Sequence, residues 1–227
     1  DGDEALGPPV SSPLLADSDG DGAPDAWERR VGSDPTNALS APTPFRGAIG
    51  LHFVSLRDLD GKLGSNEIAG VVPQMRWNDT LPLRTYNRAT GFTPHLSTPV
   101  TGRVSRSDGA VLTNVTVGWA SAHTDGNHNL GTPDQRLMCG FIRAADGTPA
   151  SLTISNVPFA AYDLYVYVGG RYDDQLGRVS LGTNPATVRL FQTMTTAPQR
   201  EFIEVTPTFR RGDYVVYSNL TDTVVSV

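Results

Sequence analysis

Residues 161–170 read Ala161-Tyr162-Asp163-Leu164-Tyr165-Val166-Tyr167-Val168-Gly169-Gly170. Leu164, Val166 and Val168 fall on one side of an extended chain, with Tyr165 and Tyr167 on the other. Side chains alternate across a strand with period two, so this pattern predicts a strand between two different environments. Gly169-Gly170 then supplies a turn. The same period appears on both sides of this segment. In Ala110–Trp119, Val111, Thr113, Val115, Val117 and Trp119 share a face. In Thr187–Met194, Val188, Leu190 and Met194 alternate with Arg189 and Thr193. Further strand candidates are 48–55, 69–77, 99–105, 136–142, 151–156, 176–181, 201–206, 213–218 and 222–227. Turn signals such as Ser107-Asp108-Gly109 and Asp146-Gly147-Thr148-Pro149 separate them. Short strands at this spacing with no helical period predict an all-β fold. A β-sandwich is expected over 47–227, with jelly-roll topology preferred.

Composition agrees. The chain has 227 residues, enough for one large all-β domain or one domain plus a small appendage. Gly, Pro, Thr and Ser are plentiful and charged residues scarce, which suits strands joined by turns. Aspartate outnumbers glutamate by 19 to 5, and Lys62 is the single lysine beside 17 arginines. Aspartate favours turns and hard-cation sites. A net charge of -6 with no basic stripe argues against nucleic-acid binding. Cys139 is the only cysteine, so no intramolecular disulfide can form. Its apolar run Leu137-Met138-Cys139-Gly140-Phe141-Ile142 predicts a buried structural thiol. No apolar run approaches membrane-spanning length, and no membrane insertion is expected. The opening Asp1-Gly2-Asp3-Glu4 reads as a processed or excised terminus rather than a leader.

Four segments are expected: a Pro-rich arm over 1–16, a calcium loop and short helix over 17–39, a hinge over 40–46 and the β-sandwich over 47–227. The loop is Asp17-Ser18-Asp19-Gly20-Asp21-Gly22-Ala23-Pro24-Asp25-Ala26-Trp27-Glu28. Acids occupy loop positions 1, 3, 5, 9 and 12, and glycine occupies position 6. Calcium takes six to eight oxygens, and this spacing supplies them. Asp17, Asp19 and Asp21 give side-chain oxygens, Ala23 its carbonyl, Asp25 a direct or water-mediated oxygen and Glu28 two oxygens. Pro24 suits a helix start, and Trp27-Glu28-Arg29-Arg30-Val31 continues it to Gly32 as the stop.

These residues, with the trailing Gly32-Ser33-Asp34-Pro35-Thr36-Asn37, resemble a bacterial thrombospondin type 3 repeat, a cousin of EF-hand and dockerin loops. The resemblance covers a small part of the chain. It implies an extracellular spacer or stiffener with weak calcium affinity, on the order of 10⁻⁴–10⁻³ M. It also implies that later acids share a second ion. A dockerin role is disfavoured because the second loop is missing. Residues 47–227 are similar to a β-sandwich module of large secreted bacterial surface proteins. The segments carrying that likeness are Gly47-Ala48-Ile49-Gly50-Leu51-His52-Phe53, Ala69-Gly70-Val71-Val72-Pro73-Gln74-Met75-Arg76-Trp77-Asn78, the run 161–170 and Gly212-Asp213-Tyr214-Val215-Val216-Tyr217. They mark fold rather than activity.

Weaker constellations remain. His123, Asp125 and His128 match no zinc spacing, so a polar loop is expected there. Asp58-Leu59-Asp60-Gly61 with Asn66 and Glu67 lacks the calcium register and reads as a turn. Trp77, Trp119, Tyr172 and Phe92 are candidate sugar-stacking aromatics. Trp119 fits its apolar face as core, leaving Trp77 and Tyr172, with Asp173, as the better ligand-binding candidates. Arg211-Gly212-Asp213 spells an adhesion tripeptide but reads as a turn into a strand. Asn78, Asn114 and Asn219 begin glycosylation sequons. No nucleophile elbow, phosphate loop or zincin helix occurs, so no catalytic residues are expected. The expected role is a non-catalytic, calcium-binding structural or adhesive surface protein, a candidate filament or matrix subunit. Its partners would be other copies, through the arm or the C-terminal strand 223–227, or extracellular glycans. The rival reading is a carbohydrate-binding module of a larger secreted protein or polysaccharide-degrading enzyme.

Overall fold

The computed structural model describes residues 18–20, 25, 28, 33–40, 47–53, 61–80, 86–87, 91–92, 95–96, 100–101, 104–121, 123–126, 131–144, 149–169, 173–194 and 202–227. The arm over 1–16, most of the hinge and the site candidates Asp17, Asp21, Ala23 and Tyr172 lie outside the described residues.

The chain is mostly β, as its period-two runs require. The largest sheet has five strands. Val224–Ser226 pairs with Ser151–Ser155, which pairs with Thr116–Ser121, and His95–Leu96 and Val100–Thr101 both join Thr116–Ser121. Every neighbour in it is antiparallel. Tyr162–Tyr167 pairs antiparallel with Tyr214–Leu220, and Leu176–Val179 with Arg189–Gln192. Leu51–Phe53 and Asn78–Thr80 form a parallel pair. The other pairs are also two-stranded, and among the described residues the sheets are small and unclosed.

The alternation at 162–168 is realised. Leu164, Val166 and Val168 pack with Val205, Val215 and Tyr217, while Tyr167 faces the opposite way onto Trp77 and Phe202. A third cluster gathers Val104, Val115 and Val117 under Trp119, Leu152 and Ile154.

Three expectations are corrected. The run 110–119 is not one strand, because it breaks at Thr113-Asn114 into Val111–Leu112 and Thr116–Ser121. Val115 and Val117 are buried as their face predicts, but Val111 is 61 % exposed on the far side of the break. In 187–194 the apolar Val188 and Leu190 face outward, and Phe191 and Thr193 turn inward. The candidate strand 136–142 begins as a short helix, Pro133–Leu137. Thr132 caps it by accepting from the Gln135 amide, Gln135 returns the bond to the Thr132 amide, and Pro133 opens the first turn. The strand Gly140–Arg143 follows.

Candidate metal centre

The site is built on the acids at loop positions 9 and 12. Asp25 and Glu28 both lie in helical conformation and are fully buried. Three residues apart on a helix, they share one face. The backbone amide of Ser18 donates to Asp25 Oδ1 at 2.7 Å, and its hydroxyl donates to Oδ2 at 2.7 Å. Position 9 is thereby fastened to position 2. Asp19, at position 3, is half-buried next to this contact.

The Ser33 amide donates to the Glu28 carbonyl at 2.9 Å, a bond across five residues of the kind that closes helices. Beyond it Asp34 Oδ1 accepts from the Thr36 amide at 2.9 Å and hydroxyl at 2.8 Å. Ser40 then clamps the turn, accepting from the Asp34 amide and donating to the Asp34 carbonyl. One carboxylate oxygen of Asp34 is thus engaged in holding a turn.

The donor chemistry fits calcium. Every contributed side-chain atom is a hard oxygen, and buried carboxylates need hydrogen-bond donors, positive charge or a metal beside them. Among the described residues no group of three or more His, Cys, Asp or Glu side chains stands ready as a metal cage.

The other candidates separate clearly. Trp77 is 8 % exposed and belongs to the core with Leu63, Ala69 and Leu137. The hairpin turn from Ala69 to Gln74 wraps around it, and its Nε1–H donates to the carbonyls of both residues, at 3.2 and 3.1 Å. Tyr167 meets it edge-on at 6.0 Å. The sugar-platform expectation for Trp77 is therefore corrected, because no ring face is open for stacking. Asp173 is exposed in the turn before Leu176–Val179.

His123 and Asp125 lie on the strand His123–Gly126, which corrects the loop expectation there. His128 and Asp58 to Asp60 are outside the described residues. Glu67 accepts from the Gly64 amide at 2.6 Å and pairs with Arg136, in keeping with the turn reading. In the adhesion tripeptide Asp213 is buried, and its Oδ2 accepts from the Ile203 amide at 2.8 Å. Asn78 is committed as well: its side chain donates to the carbonyls of Gly50 and Ser105 and accepts from the Ser105 amide, each at 2.8 Å. Asn114 and Asn219 are exposed.

Two polar features were not foreseen. The parallel register sets His52 opposite Asp79, and the Nδ1 of the buried His52 lies 2.8 Å from Oδ1 of the half-buried Asp79. No local pattern announces a contact that only strand pairing creates. The second is Asp134, which accepts from the Gly70 amide at 2.8 Å. Burial raises its carboxyl pKa above the usual value, and that amide partly offsets the rise. Its position in the first turn after a Thr-Pro cap was the available signal.

No helix among the described residues is long and apolar enough to cross a membrane. Comparison with curated proteins and comparison with solved structures each found no match to the chain. Residues 17–38 match the bacterial TSP3 repeat, a calcium-binding repeat of extracellular type, and this stretch contains Ser18, Asp25 and Glu28.

Proposed function

We propose that the chain is a non-catalytic extracellular structural protein in which a calcium-stiffened repeat is joined to a β-sandwich body. The observation that carries this reading is the repeat match over 17–38 together with the burial of Asp25 and Glu28 on one helical face. Asp17, Asp19, Asp21, the Ala23 carbonyl, Asp25 and Glu28 would hold the ion. Calcium supplies the charge that lets these carboxylates come together, and so ties the loop to the helix. Its task there is mechanical, because weak extracellular sites are filled constantly rather than switched. The body over 47–227 acts as a sandwich of jelly-roll type, a module of a secreted bacterial surface protein that associates with other copies. Burial of Trp77 weighs against the glycan-binding alternative, which retains only Tyr172 and Asp173.

Calorimetric titration of the full chain with calcium tests the reading. A dissociation constant on the order of 10⁻⁴–10⁻³ M is expected, lost in Glu28→Gln. Absence of binding, or equal affinity in Glu28→Gln, contradicts it.

A further inference from the structure

The strand Leu176–Val179 has one partner, Arg189–Gln192, and among the described residues nothing pairs with its other edge. The Thr193 amide donates to the Gln175 carbonyl at 2.9 Å. In an antiparallel ladder the bonded residues alternate, so Gln175, Gly177 and Val179 spend their main-chain groups on the partner strand. The amides and carbonyls of Leu176 and Arg178 point to the open edge. An edge of this kind is a template for another strand.

The side chains along it are self-complementary. Leu176 is 82 % exposed, an unusual position for a leucine on a strand. Its face also carries Arg178 and, across the register, Leu190, which is 45 % exposed. Arg211 bridges to Gln192 and so belongs to this outer face, and Arg211 Nε lies 3.6 Å from Asp174 Oδ1. Asp174, in a left-handed turn with φ 62°, thus presents its carboxylate on the same side. Acid, leucine and arginine therefore follow in order at 174, 176 and 178. The opposite face of the hairpin is already used, since Phe191 and Val179 pack into the core and the Phe191 ring covers Gly177.

We infer that this edge pairs with the same edge of a second copy, antiparallel, about a two-fold axis through Leu176. In that register Leu176 packs on Leu176 of the other copy, and the Asp174 carboxylate, from a turn whose amide is bonded to the Thr193 carbonyl, reaches the other copy's Arg178 side chain. The Leu176 amide and carbonyl exchange bonds across the axis, which suits the direction they already point. Closure by a two-fold leaves no further edge exposed at the junction. Reversing strand direction without this symmetry would lose both charge pairs, so the sequence 174–178 selects a copy of itself over an unrelated strand. The contact deepens the proposed structural role and rests on that reading for its use, though not for its geometry.

Sedimentation velocity on the full chain over a concentration series, with and without calcium, tests the pairing. A reversible dimer is expected in both conditions. Asp174→Arg and Arg178→Asp each place like charges across the axis twice and should weaken association by about tenfold. Leu176→Lys, at an exposed position, should abolish it while leaving the circular dichroism spectrum unchanged. An equimolar mixture of Asp174→Arg and Arg178→Asp restores both opposite-charge pairs, so it should associate more strongly than either variant alone. A wild-type chain that stays monomeric throughout, or a mixture no heavier than its components, overturns the inference. Calcium titration of the same samples separates the two claims: a calcium-binding monomer removes this contact and leaves the proposed role of the repeat standing.

Discussion

Ser18 and Asp25 are joined twice, the amide and the hydroxyl of Ser18 each donating to a different oxygen of the Asp25 carboxylate at 2.7 Å. Two residues seven apart are thus locked into one local geometry. Removing the hydroxyl leaves the amide bond in place and should cost about 1 kcal/mol. Ser18→Ala is therefore expected to weaken calcium binding several-fold, and Asp25→Asn to weaken it further by removing a charge. Calorimetric titration of both variants beside the wild type checks the order.

Trp77 anchors the turn from Ala69 to Gln74, and the turn leaves no room beside it. A side chain at Gly70, whose φ is 102°, would come within 2.7 Å of the Tyr167 hydroxyl. That hydroxyl accepts from the Val71 amide at 2.8 Å, and burial holds its pKa well above the usual tyrosine value. Trp77→Ala is expected to cost about 3–5 kcal/mol, read by urea denaturation. Trp77→Phe should cost less, because the ring volume is largely kept while the indole bonds are lost. Neither change should alter binding in a polysaccharide screen, whereas a stacking platform would lose it.

Asp134 gives a pH signature. Its folded pKa is raised, so its charge opposes folding above that value and the opposition disappears as pH falls to the unfolded value of 3.8. Asp134→Asn keeps an oxygen for the Gly70 amide and removes the buried charge. Thermal unfolding should show the variant at least as stable as the wild type at pH 7, with any gain vanishing on acidification through the raised pKa. A gain that grows toward low pH would contradict the assignment.

The tripeptide Arg211-Gly212-Asp213 is structural. Asp213→Ala leaves the half-buried Ile203 amide without its acceptor and should cost about 1 kcal/mol or more. Any adhesion by the folded chain should be insensitive to a competing tripeptide, which a cell-binding assay measures directly.

How far the sequence could be read depends on where each determinant sits. The strand Tyr162–Tyr167 was legible because its two faces meet different cores, and that contrast is written in the alternation itself. The repeat over 17–38 was legible because its spacing is local. Thr132-Pro133-Asp134-Gln135 carried a helix start, but five residues are too few to display a helical period, so the run after it read as strand. Val188 and Leu190 read as an ordinary apolar face, since alternation reports that two faces differ and not which one is inward. Trp77 went astray for a related reason: a polar neighbour, Asn78, suggested exposure, while the turn that buries the ring comes from residues 69 to 74. The pair His52 and Asp79 exists only through the parallel pairing of Leu51–Phe53 with Asn78–Thr80, and nothing in either segment alone announces it.

The central claim is that calcium organises the repeat and leaves the body to its own core. Hydrogen exchange of the full chain, followed by mass spectrometry with millimolar calcium and then with chelator, tests it most directly. Peptides covering 17–38 should gain protection with calcium and lose it on chelation, while peptides from 47–227 stay unchanged. Protection over 17–38 that ignores calcium, or a loss that spreads through the whole chain in one cooperative step, would contradict the account.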